Sequence, residues 1–145
     1  MQPAPLDLGH VPQGPRAYRT RLRRLGPIAG LIPPAILGAL AWLLLRNNTS
    51  AVRGVGSFVL GVLAAPALLV AGVPLASGGA FAMGIAGSVA LWLLVGVVAA
   101  RRATRTPAAS WRDFWREYLW LAGAVWLGTI GALLVANLIL GRSLL

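Results

Sequence analysis

Four long apolar segments divide the chain, at residues 25–45, 55–75, 81–100 and 119–140, with short stretches rich in arginine, glycine and proline between them. The 21 residues of the first segment, coiled as a helix at about 1.5 Å per residue, extend about 31 Å and match a bilayer hydrocarbon core of about 30 Å. The pattern therefore predicts an all-α integral membrane bundle of four transmembrane helices. Pro33 and Pro34 fall in the middle of the first segment, where they remove two amide donors and predict a kink or an open turn. The second segment contains Pro66 and ends near Pro74, the third has no proline, and Asn137 is the most polar side chain of the fourth.

Ahead of these segments, residues 1–24 lack apolar periodicity and carry Pro3, Pro5, Pro12 and Pro15 before Arg16, Arg19, Arg21, Arg23 and Arg24. This composition predicts an extended cytoplasmic arm, leaving residues 25–145 as the transmembrane domain. A cleaved signal peptide is the competing reading, because Ala39-Leu40-Ala41 imitates a cleavage site. A signal's apolar core is about 7 to 15 residues without a central Pro-Pro, and here the apolar run continues through Trp42 to Leu45, so the segment is read as retained.

Between the third and fourth segments the pattern changes. Ser110 followed three residues later by Asp113 resembles a capping box and predicts a helix start. Trp111, Phe114, Trp115 and Tyr118 then recur at helical spacing on one face, while Arg112, Asp113, Arg116 and Glu117 take the other. This predicts an interfacial amphipathic helix before the fourth span, with its aromatic side at headgroup level or docked on another subunit.

Composition sharpens the membrane assignment. Hydrophobic residues make up 58% and charged residues 11% of the chain, against about 25% charged in soluble domains, so most of the exterior must face lipid. Thirteen arginines, no lysine and only Asp7, Asp113 and Glu117 on the acidic side give a formal charge of +10. The arginines stand at the edges of apolar segments, where they anchor against headgroups, and no nucleic-acid partner is expected. Arginine without lysine, with heavy use of Ala, Gly, Leu and Val, is associated with GC-rich bacterial genomes such as those of actinobacteria. Four full crossings with the N-terminus inside put six arginines in the cytoplasm (Arg16, Arg19, Arg21, Arg23, Arg24 and Arg142) and seven outside. That conflicts with the positive-inside rule. A first segment that turns back at Pro33-Pro34 would reverse the balance to twelve inside and one outside.

Chemistry-bearing constellations are sparse. The four apolar cores hold no Asp, Glu, His, Lys or Arg, the groups that ion-coupled carriers use. No cysteine is present to form a disulfide or a thiolate site, and no phosphate loop or nucleophile–base pair occurs. Asp113 and Glu117 are neighbours on a helix, but Arg112 and Arg116 can neutralise both. His10 reads as a tail residue, and Asn47-Asn48-Thr49-Ser50 as a polar turn despite its overlapping glycosylation patterns. No enzymatic activity, metal or cofactor is expected. Small residues recur every four positions in three spans: Ser57, Gly61 and Ala65; Ala80, Gly84 and Ser88; Ala124, Gly128, Ala132 and Ala136. Such seams let helices approach closely within a membrane, in this bundle or against a partner.

The basic juxtamembrane run at residues 15–24, the four apolar segments and the aromatic-basic stretch at residues 111–126 together resemble the small accessory membrane proteins of actinobacteria. One kind accompanies Mce-type (mammalian cell entry) lipid importers. The resemblance implies a role in stabilising or regulating a lipid-moving permease without chemistry of its own. The function expected is thus a non-enzymatic accessory subunit of a larger bacterial inner-membrane complex, with a self-sufficient small transporter or lipid-flipping homo-oligomer as the alternative. Arg16, Arg19, Arg21, Arg23, Arg24, Trp111, Arg112, Trp115, Arg116 and Tyr118 are the residues expected to meet the partner or the lipid headgroups.

Overall fold

A computed structural model describes residues 15–46, 50–71, 78–105 and 109–143, and every regular element within them is a helix. Asp7, His10, Pro74 and Asn47 to Thr49 lie outside the described residues. The elements are α1 (Pro15–Ala29), α2 (Ile32–Leu45), α3 (Ala51–Ala64), α4 (Ala67–Val70), α5 (Gly78–Ala103) and α6 (Trp111–Ser143). Three stretches are long and apolar enough to cross a membrane: Ala17–Leu45, which joins α1 to α2, then Gly78–Ala103 and Trp111–Ile139. The segment that carries Pro66 is instead divided between α3 and α4.

The arginine-bearing residues expected in an extended arm are helical from Pro15 onward. Two features explain the difference. Pro15 occupies the first helical position, where a missing amide costs nothing and the fixed φ favours the helix. Tyr18, Leu22, Gly26 and Gly30 then recur every four residues on one face; Leu22 is wholly buried, while Arg21, Arg23 and Arg24 stay exposed. Ahead of Pro33 and Pro34 the first long segment is interrupted between α1 and α2 but not reversed: Leu31 keeps a right-handed helical backbone, and its carbonyl accepts from Ala35 N at 3.0 Å.

α1 runs antiparallel to α5 at very close range. A Cβ added to Gly96 would lie 2.9 Å from both Gly26 O and Pro27 Cα, and one added to Gly26 would lie 2.7 Å from Ala100 Cβ. Only glycine permits this approach, which forms a small-xxx-small seam of Gly26 and Gly30 against Gly96 and Ala100. α6 completes the core. Phe114, Tyr118 and Ala122 are fully buried with Leu22, Trp92, Ala99 and Ala100.

α2 and α3 form an antiparallel pair, with Gly38 opposite Ala64 and Ala41 opposite Gly61. Ala64, the last residue of α3, lies beside Trp92, which is about 21 Å along α5 from Gly78 at about 1.5 Å per residue. α3 therefore ends near mid-depth of the bundle. α4 leaves that point toward the N-terminal end of α5: Ala67 lies beside Gly87 and Ser88, and Leu68 and Ala71 beside Gly84.

The expected interfacial helix is not a separate element, because residues 111–118 are the first two turns of the continuous 33-residue α6. Ser110 and Asp113 cap it as anticipated, with Ser110 Oγ donating to Asp113 Oδ2 at 2.7 Å and Asp113 N donating to Ser110 Oγ at 3.2 Å.

Candidate interaction surfaces

Two helix breaks fall within the apolar depth of the bundle, and each leaves backbone groups that lipid cannot satisfy. Pro34 has no N–H to offer Gly30 O, its partner four residues earlier. Tyr118 replaces it, donating its hydroxyl to Gly30 O at 2.7 Å. At Pro66 the helix stops with Ala65 at φ −134°, ψ 71°, and Leu68 N turns to Ala65 O instead of Ala64 O. Trp92 Nε1 donates to the Ala64 carbonyl at 2.7 Å, and Trp126 Nε1 donates to that of Leu63 at 3.2 Å. Ala67 N, which would have met Leu63 O in an unbroken helix, donates to Ser88 Oγ at 3.1 Å. The broken segment is thus held by side chains of α5 and α6.

These contacts change the assignment of the aromatic face. Tyr118 and Phe114 are fully buried, and Trp111 and Trp115 are half-buried against the core. Trp115 meets Phe114 and Tyr118 edge-on at 5.2 and 5.5 Å between ring centroids, and Trp92 joins Tyr118 to Trp126 at 6.2 and 6.1 Å. The face expected at headgroups or on a partner faces its own bundle. Periodicity correctly grouped the rings but carried no information on what lies against them.

The expected basic residues are gathered at one end of the molecule. Arg23 Nε donates to Thr104 Oγ1 at 3.1 Å, which ties the middle of α1 to the C-terminal end of α5. Arg102 reaches Glu117 at 3.9 Å and ties the end of α5 to the start of α6. Arg116 pairs with Glu117 at 3.8 Å and Asp113 at 4.0 Å, whereas Arg112 is exposed on the same turn. Arg16 lies in the first turn of α1, and Arg19 is half-buried one turn later. Such exposed pairs contribute about 0–1 kcal/mol each, so they serve register more than stability.

Of the three small-residue seams, two are used internally. Gly61 faces α2, and Gly84 and Ser88 are buried against α4. The third faces outward: Ala124, Gly128, Ala132 and Ala136 are exposed, and a Cβ added to Gly128 would meet nothing within 4 Å. None of the described side chains of α6 beyond Thr129 is buried.

The tightest seam, Gly26 and Gly30 against Gly96 and Ala100, escaped the sequence reading although it obeys the same four-residue rule. So did Trp92 and Trp126, whose indole N–H groups need carbonyl partners that the break at Pro66 frees at Ala64 and Leu63. Among the described residues no group of three or more His, Cys, Asp or Glu is positioned to hold a metal ion. Comparison with protein families, curated proteins and solved structures finds no match to this chain.

Proposed function

We propose that this chain is a multi-pass protein of the bacterial inner membrane that acts as a non-enzymatic accessory subunit of a larger membrane complex, with its α6 seam as the docking face. The observation that carries the proposal is the outward exposure of Ala124, Gly128, Ala132 and Ala136 on a helix whose distal half buries no described side chain. A helix of a larger membrane protein fits such a face because small residues let two backbones approach within a membrane. Among the described residues, Asp113 and Glu117 at the basic end are engaged by Ser110, Arg102 and Arg116, which favours a structural role for them over catalysis. A lipid importer is the kind of complex that the resemblance to actinobacterial accessory proteins implies.

The topology proposed has three crossings and one re-entrant hairpin, in place of four crossings. α1 with α2, α5 and α6 each pass through the membrane; α3 enters from the side opposite the basic end, stops at Pro66, and α4 returns. Charge supports this arrangement. Arg16, Arg19, Arg21, Arg23, Arg24, Arg101, Arg102, Arg105, Arg112 and Arg116 then lie on one side and Arg46, Arg53 and Arg142 on the other, ten against three of the thirteen. The positive-inside rule places the basic end in the cytoplasm. Irregular backbone at membrane depth is tolerated when buried in protein, and Trp92, Trp126 and Ser88 provide that burial.

Purification at native expression level in mild detergent, followed by mass spectrometry, tests the docking role. One or more larger membrane proteins should accompany the wild type, and Gly128→Leu should release them while leaving insertion and monomer stability intact. A chain that purifies alone, or whose partners survive Gly128→Leu and a matching Ala132→Leu, would count against it.

A further inference from the structure

At the basic end a crevice of about 520 Å³ is lined by Arg23 of α1 and by Val97, Ala100 and Arg101 of α5. We infer that this crevice is a binding site for one anionic phospholipid, whose phosphate sits between Arg23 and Arg101 and whose first acyl carbons lie along Val97 and Ala100.

The arrangement of polar groups selects an anion. Arg23 is held in place by its bond to Thr104, a buried residue whose hydroxyl donates to Ala100 O at 2.8 Å. Its guanidinium is therefore oriented before a ligand arrives, with the terminal nitrogens left to form a two-pronged contact with phosphate oxygens. Arg101 stands one turn beyond Val97 on the exposed end of α5. Among the described residues, the carboxylates at this end pair with Arg102 and Arg116 around a separate cavity that also includes Arg105. Among the described residues no carboxylate pairs with Arg23 or Arg101, so none neutralises the charge of this crevice.

The apolar wall selects a lipid. Val97 and Ala100 give the crevice an apolar wall on α5, which a free phosphate or a nucleotide would leave uncovered. A phosphodiester carrying acyl chains meets both ends of the crevice. Basic pockets between helices at the cytoplasmic surface suit such headgroups because attraction to the anionic leaflet adds to the local contact.

The site rests on the membrane topology proposed above, but it is tested separately from the α6 docking face and from the topology itself. The purified chain in detergent is titrated with phosphatidylglycerol or phosphatidylcholine, and bound lipid is counted by native mass spectrometry. One saturable phosphatidylglycerol should bind at least tenfold more tightly than phosphatidylcholine. Arg23→Gln with Arg101→Gln should weaken it at least tenfold, whereas Arg105→Gln with Arg112→Gln, which removes equal charge from the same end, should change it less than twofold. Arg101→Gln alone, at an exposed position outside the core, keeps the test decisive if the double variant fails to fold, and should weaken binding at least threefold. Equal losses in the two double variants would reduce the effect to diffuse attraction and overturn the site. So would equal affinity for the two lipids, or displacement of phosphatidylglycerol by millimolar inorganic phosphate.

Discussion

The hydroxyl of Tyr118 in α6 donates to the carbonyl of Gly30, 88 positions earlier in the chain and four residues before Pro34. The bond completes a hydrogen-bond ladder that proline interrupts, and it does so from the aromatic face that packs α6 onto α1 and α5. Tyr118→Phe removes only the donor and should destabilise the bundle by about 1–3 kcal/mol, the cost of an unsatisfied buried acceptor. Pro34→Ala supplies a backbone N–H to the same carbonyl. In that background Tyr118→Phe should cost less than half as much, as a double-mutant cycle of thermal unfolding in detergent would show.

Trp92→Phe should be more damaging than Trp126→Phe. The first removes a fully buried donor at 2.7 Å from Ala64 O, the second a partly buried one at 3.2 Å from Leu63 O. About 1–3 kcal/mol is expected at Trp92 and under 1 kcal/mol at Trp126. Equal losses of thermal stability at the two positions would contradict this ranking.

Gly96→Ala should separate α1 from α5, because its new Cβ would lie within 3.0 Å of the Gly26 and Pro27 backbones, which cannot move like a side-chain tip. Overpacking of this kind costs about 1–3 kcal/mol. Gly128→Ala, with open space around it, should leave the isolated chain as stable as the wild type or slightly more so, given alanine's higher helix propensity. Thermal midpoints of the two variants, measured side by side, check the contrast.

Trp111→Ala with Trp115→Ala, which a docking role for the aromatic face would make harmless to the isolated chain, should instead loosen it by several kcal/mol. Each edge-on ring pair contributes about 0.5–1.5 kcal/mol beyond its burial. Loss of thermal stability in the purified protein, with no partner present, is the expected readout.

What could be read from the sequence, and what could not, follows from the kind of information each pattern holds. Long apolar runs mark α5 and α6 plainly, because length and composition alone decide whether a helix can cross. The Ser110–Asp113 cap is equally local. The pairing of Tyr118 with Gly30 is not, since a proline shows which amide is missing but not which side chain will replace it. The helix at Pro15 was hidden by its arginines, which mask the spacing of Tyr18, Leu22 and Gly26. Pro66 divides its segment between two helices because Trp92, Trp126 and Ser88 hold the loose ends, a condition invisible until α5 and α6 are packed beside it. The charge conflict of four crossings is what the proposed return at Pro66 resolves, and in the sequence Pro33-Pro34 is the more conspicuous place to look.

The return of the chain at Pro66 is tested most directly by cysteine accessibility in intact cells, since the natural chain has no thiol. Single variants Gln2→Cys, Ser77→Cys, Arg105→Cys and Leu144→Cys are treated with a membrane-impermeant maleimide before and after permeabilisation. Three crossings with a re-entrant α3–α4 hairpin predict that positions 77 and 144 label from outside, and positions 2 and 105 only once the membrane is opened. Labelling of positions 2, 77 and 144 from one face and 105 from the other would contradict the hairpin and restore four full crossings.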